Sequence, residues 1–246
     1  MGVLADVRRQ DPEGLHRFLW SHHLAYAASY EVEQKFEPGN LNPTREILFR
    51  QILDYYRSRA LDPQEHVRSV FEVGCSLGYL LRHLEAHIFP SAAMLHGLDI
   101  DRHAVQAGMA YLQSVNSKVK LFEADVTRAG EVMGDELYDL VICCGVLMYL
   151  NEANARTALQ AMFAHSRRLV GLICLAHASA MRASAASAEV RESDGGYVHD
   201  MHRMIVEAGG TVISSTWVGT ATSGSSPSHV ILAEPPAAAG RWNAVQ

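Results

Sequence analysis

Four short stretches carry residues whose types and spacing could do chemistry. The first is Glu72-x-Gly74-Cys75-Ser76-x-Gly78, a glycine turn with an acid two residues ahead of it. Gly74 permits a tight turn, and Gly78 would let a ligand approach the backbone closely. Two glycines could equally do no more than join a strand to a helix. A dinucleotide site would place three glycines as G-x-G-x-x-G around a pyrophosphate. Here the carboxylate of Glu72 would repel a pyrophosphate and suit an amino group or a sulfonium cation. Asp99 follows roughly 20 residues on, where a carboxylate can take both hydroxyls of a ribose, with Ile100 beside it. Asp99 could instead serve only as a helix-start acid, a role for which Asp101 competes. Asp125 can accept from an adenine amino group with the backbone N–H of Val126 nearby, or can be a plain turn aspartate. Cys143, Cys144 and Gly145 form the fourth stretch.

The Glu72-to-Gly78 pattern resembles the first motif of the class I S-adenosylmethionine-dependent methyltransferases, usually acid-x-Gly-x-Gly-x-Gly, with Ser76 at the middle glycine. The segment 138–150 resembles that family's fourth-strand motif, with Tyr149 where a histidine is frequent. The resemblance covers about residues 66–234. It implies S-adenosyl-L-methionine as cofactor, S-adenosyl-L-homocysteine as product, and in-line attack of a substrate nucleophile on the sulfonium methyl. The donor is already activated, so the protein's task is to align reactants and exclude water. A base is needed only for a nucleophile that arrives protonated. Cofactor-binding positions are then Glu72, Gly74, Cys75, Ser76, Gly78, Asp99, Ile100, Asp125, Val126, Cys143 and Cys144. Arg45 could grip the cofactor's carboxylate or be an exposed helix-start arginine.

Acceptor-side candidates are His177, His199, Tyr149, His22 and Tyr26, with His23, Tyr30 and His202 near them in the chain. Histidine can act as a base near neutral pH. The chain has 13 histidines, so each of these could as well be a packing or surface residue. No metal site is expected.

These residues must be positioned by alternating strands and helices. Apolar runs at 67–73, 93–100, 119–124, 138–144 and 169–175 read as parallel strands buried on both faces. Helical periodicity falls between them, including 102–113 behind Asp101 and a helix from Asn151 or Asn154 to about Arg168. Residues 197–208 read as a helix closed by Gly209-Gly210. Strands at 211–218 and 229–232 are joined with no room for a crossover helix, so they form a hairpin. The fold class is α/β: a doubly wound, mostly parallel seven-stranded sheet with an antiparallel C-terminal hairpin strand. Ahead of it, 12–36 reads as one helix, and Asn42-Pro43 starts a second running to about Arg59. The domains are thus an N-terminal helical cap (1–62), a Rossmann-like methyltransferase domain (63–236) and a C-terminal tail (237–246).

A chain of 246 residues can bury one large α/β core. Its formal net charge of −6, with no basic cluster, argues against a nucleic-acid partner. No apolar run nears the roughly 20 residues that span a bilayer, and no signal peptide is evident. The four cysteines lack zinc spacing, and adjacent strand cysteines point to opposite faces, which suits a reducing cytoplasm. The reading is a cytoplasmic enzyme acting on an O or N nucleophile of a small molecule, with a homodimer left open. An RNA or protein acceptor, or a non-catalytic cofactor-binding regulator, are the alternatives; a nicotinamide dehydrogenase is disfavoured by the glycine spacing and Glu72.

Overall fold

The computed structural model describes residues 2–25, 31–176, 188–219 and 227–236. Helices α1 (Gly2–Gln10), α2 (Pro12–Ser21), α3 (Val32–Lys35), α4 (Pro43–Arg57) and α5 (Pro63–His66) precede the first strand. Strand β1 (Ser69–Val73) leads through α6 (Tyr79–His83), continued by a π-turn at Leu84–Ile88, to β2 (Met94–Asp99). Then come α7 (Arg102–Ser114), β3 (Val119–Glu123), α8 (Ala129–Met133), β4 (Tyr138–Cys144), α9 (Glu152–Ala164) and β5 (Ser166–Leu175). A small ribbon, β6 (Glu189–Val190) with β7 (Tyr197–Val198), precedes α10 (Met201–Glu207), β8 (Thr211–Val218) and β9 (Ser228–Glu234).

The main sheet has seven strands in the order β3-β2-β1-β4-β5-β9-β8. Strands β1 to β5 pair in parallel, and β9 runs antiparallel to both β5 and β8. Strands β1 and β4 are buried along their whole length, which explains their unbroken apolar runs. The chain leaves β1 in one direction towards β2 and β3, then returns to β4 on its other side. That reversal opens a crevice at the carboxyl ends of β1 and β4, where Val73 pairs with Cys143.

Side chains alternate between two apolar layers. Val70, Leu140, Ile142, Leu169 and Leu232 pack with α4, α6 and α7. Phe71, Val141, Leu172, Ile231 and Ala233 pack with α8, α9 and α10. Cys143 and Cys144 fall on opposite layers, and all four cysteines are buried and free. Helix α4 gives Leu48, Phe49, Ile52, Tyr55 and Tyr56 to the first layer. Helix α4 thus belongs to the same apolar layer as one face of the sheet.

The capping acids and amides behave as their types dictate. Asn42 accepts from Thr44 N–H at α4, Asp101 from Ala104 N–H at α7, and Asn151 from Asn154 N–H at α9. The expected helix 12–36 is corrected: α2 stops at Ser21. Leu24 N–H donates to Leu19 O and His23 N–H to Trp20 O, the paired bonds of a Schellman stop. His23 takes the left-handed conformation there (φ 57°), a place usually held by glycine. The helix expected to reach Arg168 also ends early, because Ser166 already pairs with Tyr138 in the sheet. The helix expected over 197–208 begins only at Met201, since Tyr197 and Val198 are paired in the ribbon. Among the described residues no helix is long and apolar enough to cross a membrane.

Candidate active site

A cleft of about 500 Å³ lies over the carboxyl ends of β1, β2 and β4. Its floor is the glycine turn. Gly74 has φ 78°, and a Cβ there would meet Val146 Cγ2 at 2.1 Å, so the turn must be bare to pass the loop after β4. Ser76 also sits in the left-handed region (φ 51°), at the position whose usual occupant in the resembled motif is glycine. Its backbone N–H donates to Asp99 Oδ2 at 2.7 Å, a bond that holds the strained turn in place. Cys75 lines the cleft while its side chain packs on Gly97 of β2.

Gly78 needs correcting. It has φ 77° and starts α6, but a Cβ there would strike Leu121 and Leu112 at 2.8 and 3.3 Å. Its bareness serves packing against β3 and α7, and it does not line the cleft.

Glu72 does line it, with 2% of its surface exposed, and its Oε2 has no hydrogen-bond partner. Burial pushes its carboxyl well above the usual carboxylate range; the charge of Arg45 opposes this shift and Asp99 adds to it. Arg45 lines the same cleft from the first turn of α4. Asp99 and Asp101 divide their work. Asp101 caps α7, and its Oδ2 also meets His23 Nδ1 at 2.6 Å. Asp99 lines the cleft beside Ile100, its Oδ1 accepting from Asp101 N–H at 2.9 Å. Burial raises the Asp99 carboxyl, against the pull of the Asp101 and Ser76 N–H groups.

Asp125 and Val126 line the far end of the cleft. Asp125 Oδ1 accepts from Thr127 N–H at 2.9 Å and from Thr127 Oγ1 at 2.7 Å. Its Oδ2 is held by Arg17 Nη1 at 2.6 Å. Cys144 faces the cleft, whereas Cys143, on the opposite layer, does not; that expectation is corrected by strand alternation. Burial pushes all four thiols up, Cys174 to about 12, so none is a thiolate near neutral pH.

The other wall is built from distant segments. Tyr149 lines the cleft, its ring 4.8 Å from His16 and 5.4 Å from Trp20 of α2. Met148, Leu150 and Leu175 extend this wall. Glu13, Arg17 and Trp20 all line the cleft, at i, i+4 and i+7 along α2. Sequence reasoning passed over them, although that spacing marks one helix face.

Two histidines are not brought to the cleft. His22 is exposed just past the end of α2, its Nδ1 2.9 Å from Phe18 O. His199 is buried, and its Nε2 donates to Leu147 O and Leu150 O at 2.9 and 3.1 Å. It holds the loop that carries Tyr149, and burial lowers its basicity. His202 meets Ser215 on the surface. Tyr26, Tyr30 and His177 lie outside the described residues. Among the described residues no cluster of His, Cys, Asp or Glu could hold a metal ion.

Residues 71–168 match a family model described as a methyltransferase domain. No curated protein sequence matches the chain. Among solved structures, magnesium protoporphyrin IX methyltransferase (ChlM) from Synechocystis PCC 6803, with bound SAM, aligns at TM-score 0.60 and 15% identity. The alignment covers 92% of this chain and 97% of that one. The N-methyltransferase NodS from Bradyrhizobium japonicum WM9, in complex with S-adenosyl-L-homocysteine, aligns at 0.58 and 16% over 92% and 100% of the two chains. The O-methyltransferase of a trans-AT PKS multienzyme of Brevibacillus brevis, in complex with S-adenosyl-L-homocysteine, aligns at 0.61 and 13% over 88% and 79%. At such identities the likeness is one of fold. The strand order and the glycine turn define a Rossmann-like α/β fold, within which residues 71–168 match a methyltransferase domain.

Proposed function

We propose that the protein transfers a methyl group from S-adenosyl-L-methionine to an oxygen or nitrogen nucleophile of a small molecule, releasing S-adenosyl-L-homocysteine. The observation that carries this reading is Glu72. A buried carboxylate oxygen without a donor costs about 1–3 kcal/mol, and it lies in a cleft open to ligands. The ammonium of the cofactor's amino-acid part would satisfy it, and Arg45 beside it suits the carboxylate. Asp99 would take the ribose hydroxyls, while Asp125 and the Val126 N–H would meet the adenine. Acids at three successive strand ends, Glu72, Asp99 and Asp125, would thus meet one ligand in sequence order.

The cofactor supplies an activated methyl, so the chain's own residues bind, orient and keep water out. The acceptor would lie against Trp20, Met148, Tyr149, Leu150 and Leu175, an aromatic and apolar wall suited to a small organic molecule. Tyr149, which lines the cleft, would relay a nucleophile's proton, and His177 and Tyr26 stay as acceptor-side candidates. The segment 1–62 would shape this wall through α2. The structural relatives include an O- and an N-methyltransferase, which supports the same class. Buried free thiols suit a reducing cytoplasm.

Calorimetry with S-adenosyl-L-homocysteine tests the cofactor half: saturable binding that Glu72→Gln weakens about 100-fold is expected, and no binding by the wild type discards the reading. Incubating labelled S-adenosyl-L-methionine with a lysate tests the acceptor half. Label in the small-molecule fraction is expected; label confined to RNA or protein would replace the acceptor.

A further inference from the structure

Seven charged side chains line the cleft, and six of them are answered. Glu13 accepts from Asn151 N–H at 3.0 Å and from Asn154 Nδ2 at 2.5 Å. Arg17 forms ion pairs with Glu13 Oε1 (3.1 Å) and Asp125 Oδ2 (2.6 Å). Glu72, Arg45 and Asp99 are the groups that the cofactor's ammonium, carboxylate and ribose would meet. The seventh is Lys35, the last residue of α3. Its ammonium reaches no acid among the described residues, Glu31 one turn before it included. The segments outside the described residues contain no Asp or Glu.

A lysine on open surface is answered by water. Lys35 is half-buried and lines both the cleft and a side chamber of about 290 Å³, which shares Asn42, Arg45 and Tyr79 with the cleft. No acid lines this chamber. The first N–H groups of α4 are spent within it: Thr44 N–H on Asn42 Oδ1, and Arg45 and Glu46 N–H on Asn42 O. The positive charge of the chamber therefore comes from side chains. Arg45 acts electrostatically on Glu72, which leaves Lys35 as the cation of the outer part. Asn40 lines the chamber too; its Nδ2 spends one hydrogen on Gln34 O at 3.0 Å and has a second to give. In a chain of net charge −6, a walled concavity with cations and no acid gathers anions.

We propose that the methyl acceptor carries an oxyanion, a carboxylate or a phosphate, which Lys35 receives in the side chamber. This rests on the functional reading above, because the cofactor must claim Arg45 for Lys35 to be the cation left over. The acceptor's apolar body lies against Trp20 and Tyr149, which line the same cleft. A cationic acceptor would be repelled, and a neutral one would cover the ammonium with nothing to pair it. Lys35 thus selects the acceptor by its charge, through charge-assisted hydrogen bonds, and takes no part in the transfer itself.

The test titrates protein saturated with S-adenosyl-L-homocysteine, so that Arg45 is already claimed, with inorganic phosphate and with acetate by calorimetry at constant ionic strength. Saturable millimolar binding of at least one anion is expected, and the preferred probe assigns the oxyanion. Lys35→Ala and Lys35→Glu should weaken it about tenfold or more, the scale of a lost charge-assisted bond, and Lys35→Arg should stay within about threefold. All three variants should bind S-adenosyl-L-homocysteine within about twofold of the wild type. The labelled small-molecule product of the lysate incubation should be retained on an anion exchanger. A wild type that binds S-adenosyl-L-homocysteine but neither anion, or an anion affinity indifferent to Lys35→Ala, overturns the assignment of Lys35. So does a Lys35→Ala variant that loses S-adenosyl-L-homocysteine in step with the anion, since Lys35 would then serve the cofactor's own carboxylate. A labelled product that passes through the exchanger overturns the acceptor's charge. A wild type that does not bind S-adenosyl-L-homocysteine overturns the functional reading itself.

Discussion

Two carboxylates lie buried at opposite ends of the same pair of central strands, and they meet opposite fates. At the amino end, Asp139 of β4 is 5% exposed and fully engaged. Its Oδ2 accepts from Arg68 N–H, Ser69 N–H and Ser69 Oγ at 2.9 to 3.0 Å, and its Oδ1 from Arg167 Nη1 at 2.9 Å. At the carboxyl end, Glu72 of β1 is 2% exposed and one oxygen has nothing. Depth does not separate them; the count of donors does. The first acid stitches β4 to the start of β1, and the second has no protein donor for its Oε2. Native chains satisfy most buried polar atoms, and Glu72 Oε2 is one of the few here without a partner, in the wall of the cleft.

The largest expected effect comes from breaking the satisfied end. Asp139→Ala strands two backbone N–H groups and Ser69, and should cost about 3 kcal/mol of stability by denaturant titration. Its affinity for S-adenosyl-L-homocysteine, measured on the folded fraction, should stay within about twofold, since Asp139 lies away from the cleft. Next, Glu72→Gln should weaken that affinity about 100-fold, the scale of a lost charge-assisted bond. The same substitution should make the empty protein more stable by about 1 kcal/mol, because an amide is cheaper to bury than a carboxylate. A Glu72→Gln variant that loses both stability and affinity would erase the contrast.

That gain carries a pH signature. Glu72's carboxyl is raised by burial, so above the ordinary value of 4.5 the folded state holds a proton that the unfolded state has released. Its contribution is fully present below that value and is lost as pH rises through the folded value. The wild type's unfolding midpoint should therefore fall relative to Glu72→Gln as pH climbs from about 4.5. The smallest effect belongs to a half-satisfied group. His199 donates twice through Nε2 while its Nδ1 has no partner, and burial lowers its pKa from 6.5. Below that pH the unfolded state binds the extra proton, so stability should drop by about 1 kcal/mol towards pH 5, and His199→Gln should flatten the profile.

The sheet was legible because its signals are local: Val70 to Val73, the glycine turn and the Asp101 and Asn42 caps each announce their own element. The side of the cleft proposed for the cofactor follows from it, since successive strand ends bring Glu72, Asp99 and Asp125 together. The opposite wall was not legible. The apolar period of α2 carries on past Ser21, and the stop depends on His23 taking a conformation that no glycine advertises. Because α2 stops at Ser21, His22 lies past its end and away from the cleft, while Glu13 and Arg17, one turn apart on α2, face it. The two-residue strands of the β6–β7 ribbon leave no periodicity to detect. Gly78 shows a further limit: a ligand and a leucine both demand a missing Cβ, and only the neighbours tell which.

Helix α4 bears on how the chain can be shortened. Because Leu48, Ile52 and Tyr56 are completely enclosed between it and the sheet, a fragment beginning at residue 63 would bare an oily wall and should precipitate when expressed. A fragment beginning near residue 38 keeps that wall clothed but discards α2. It should fold, and its crevice should stand open to solvent on the side where Trp20 and Arg17 now close it.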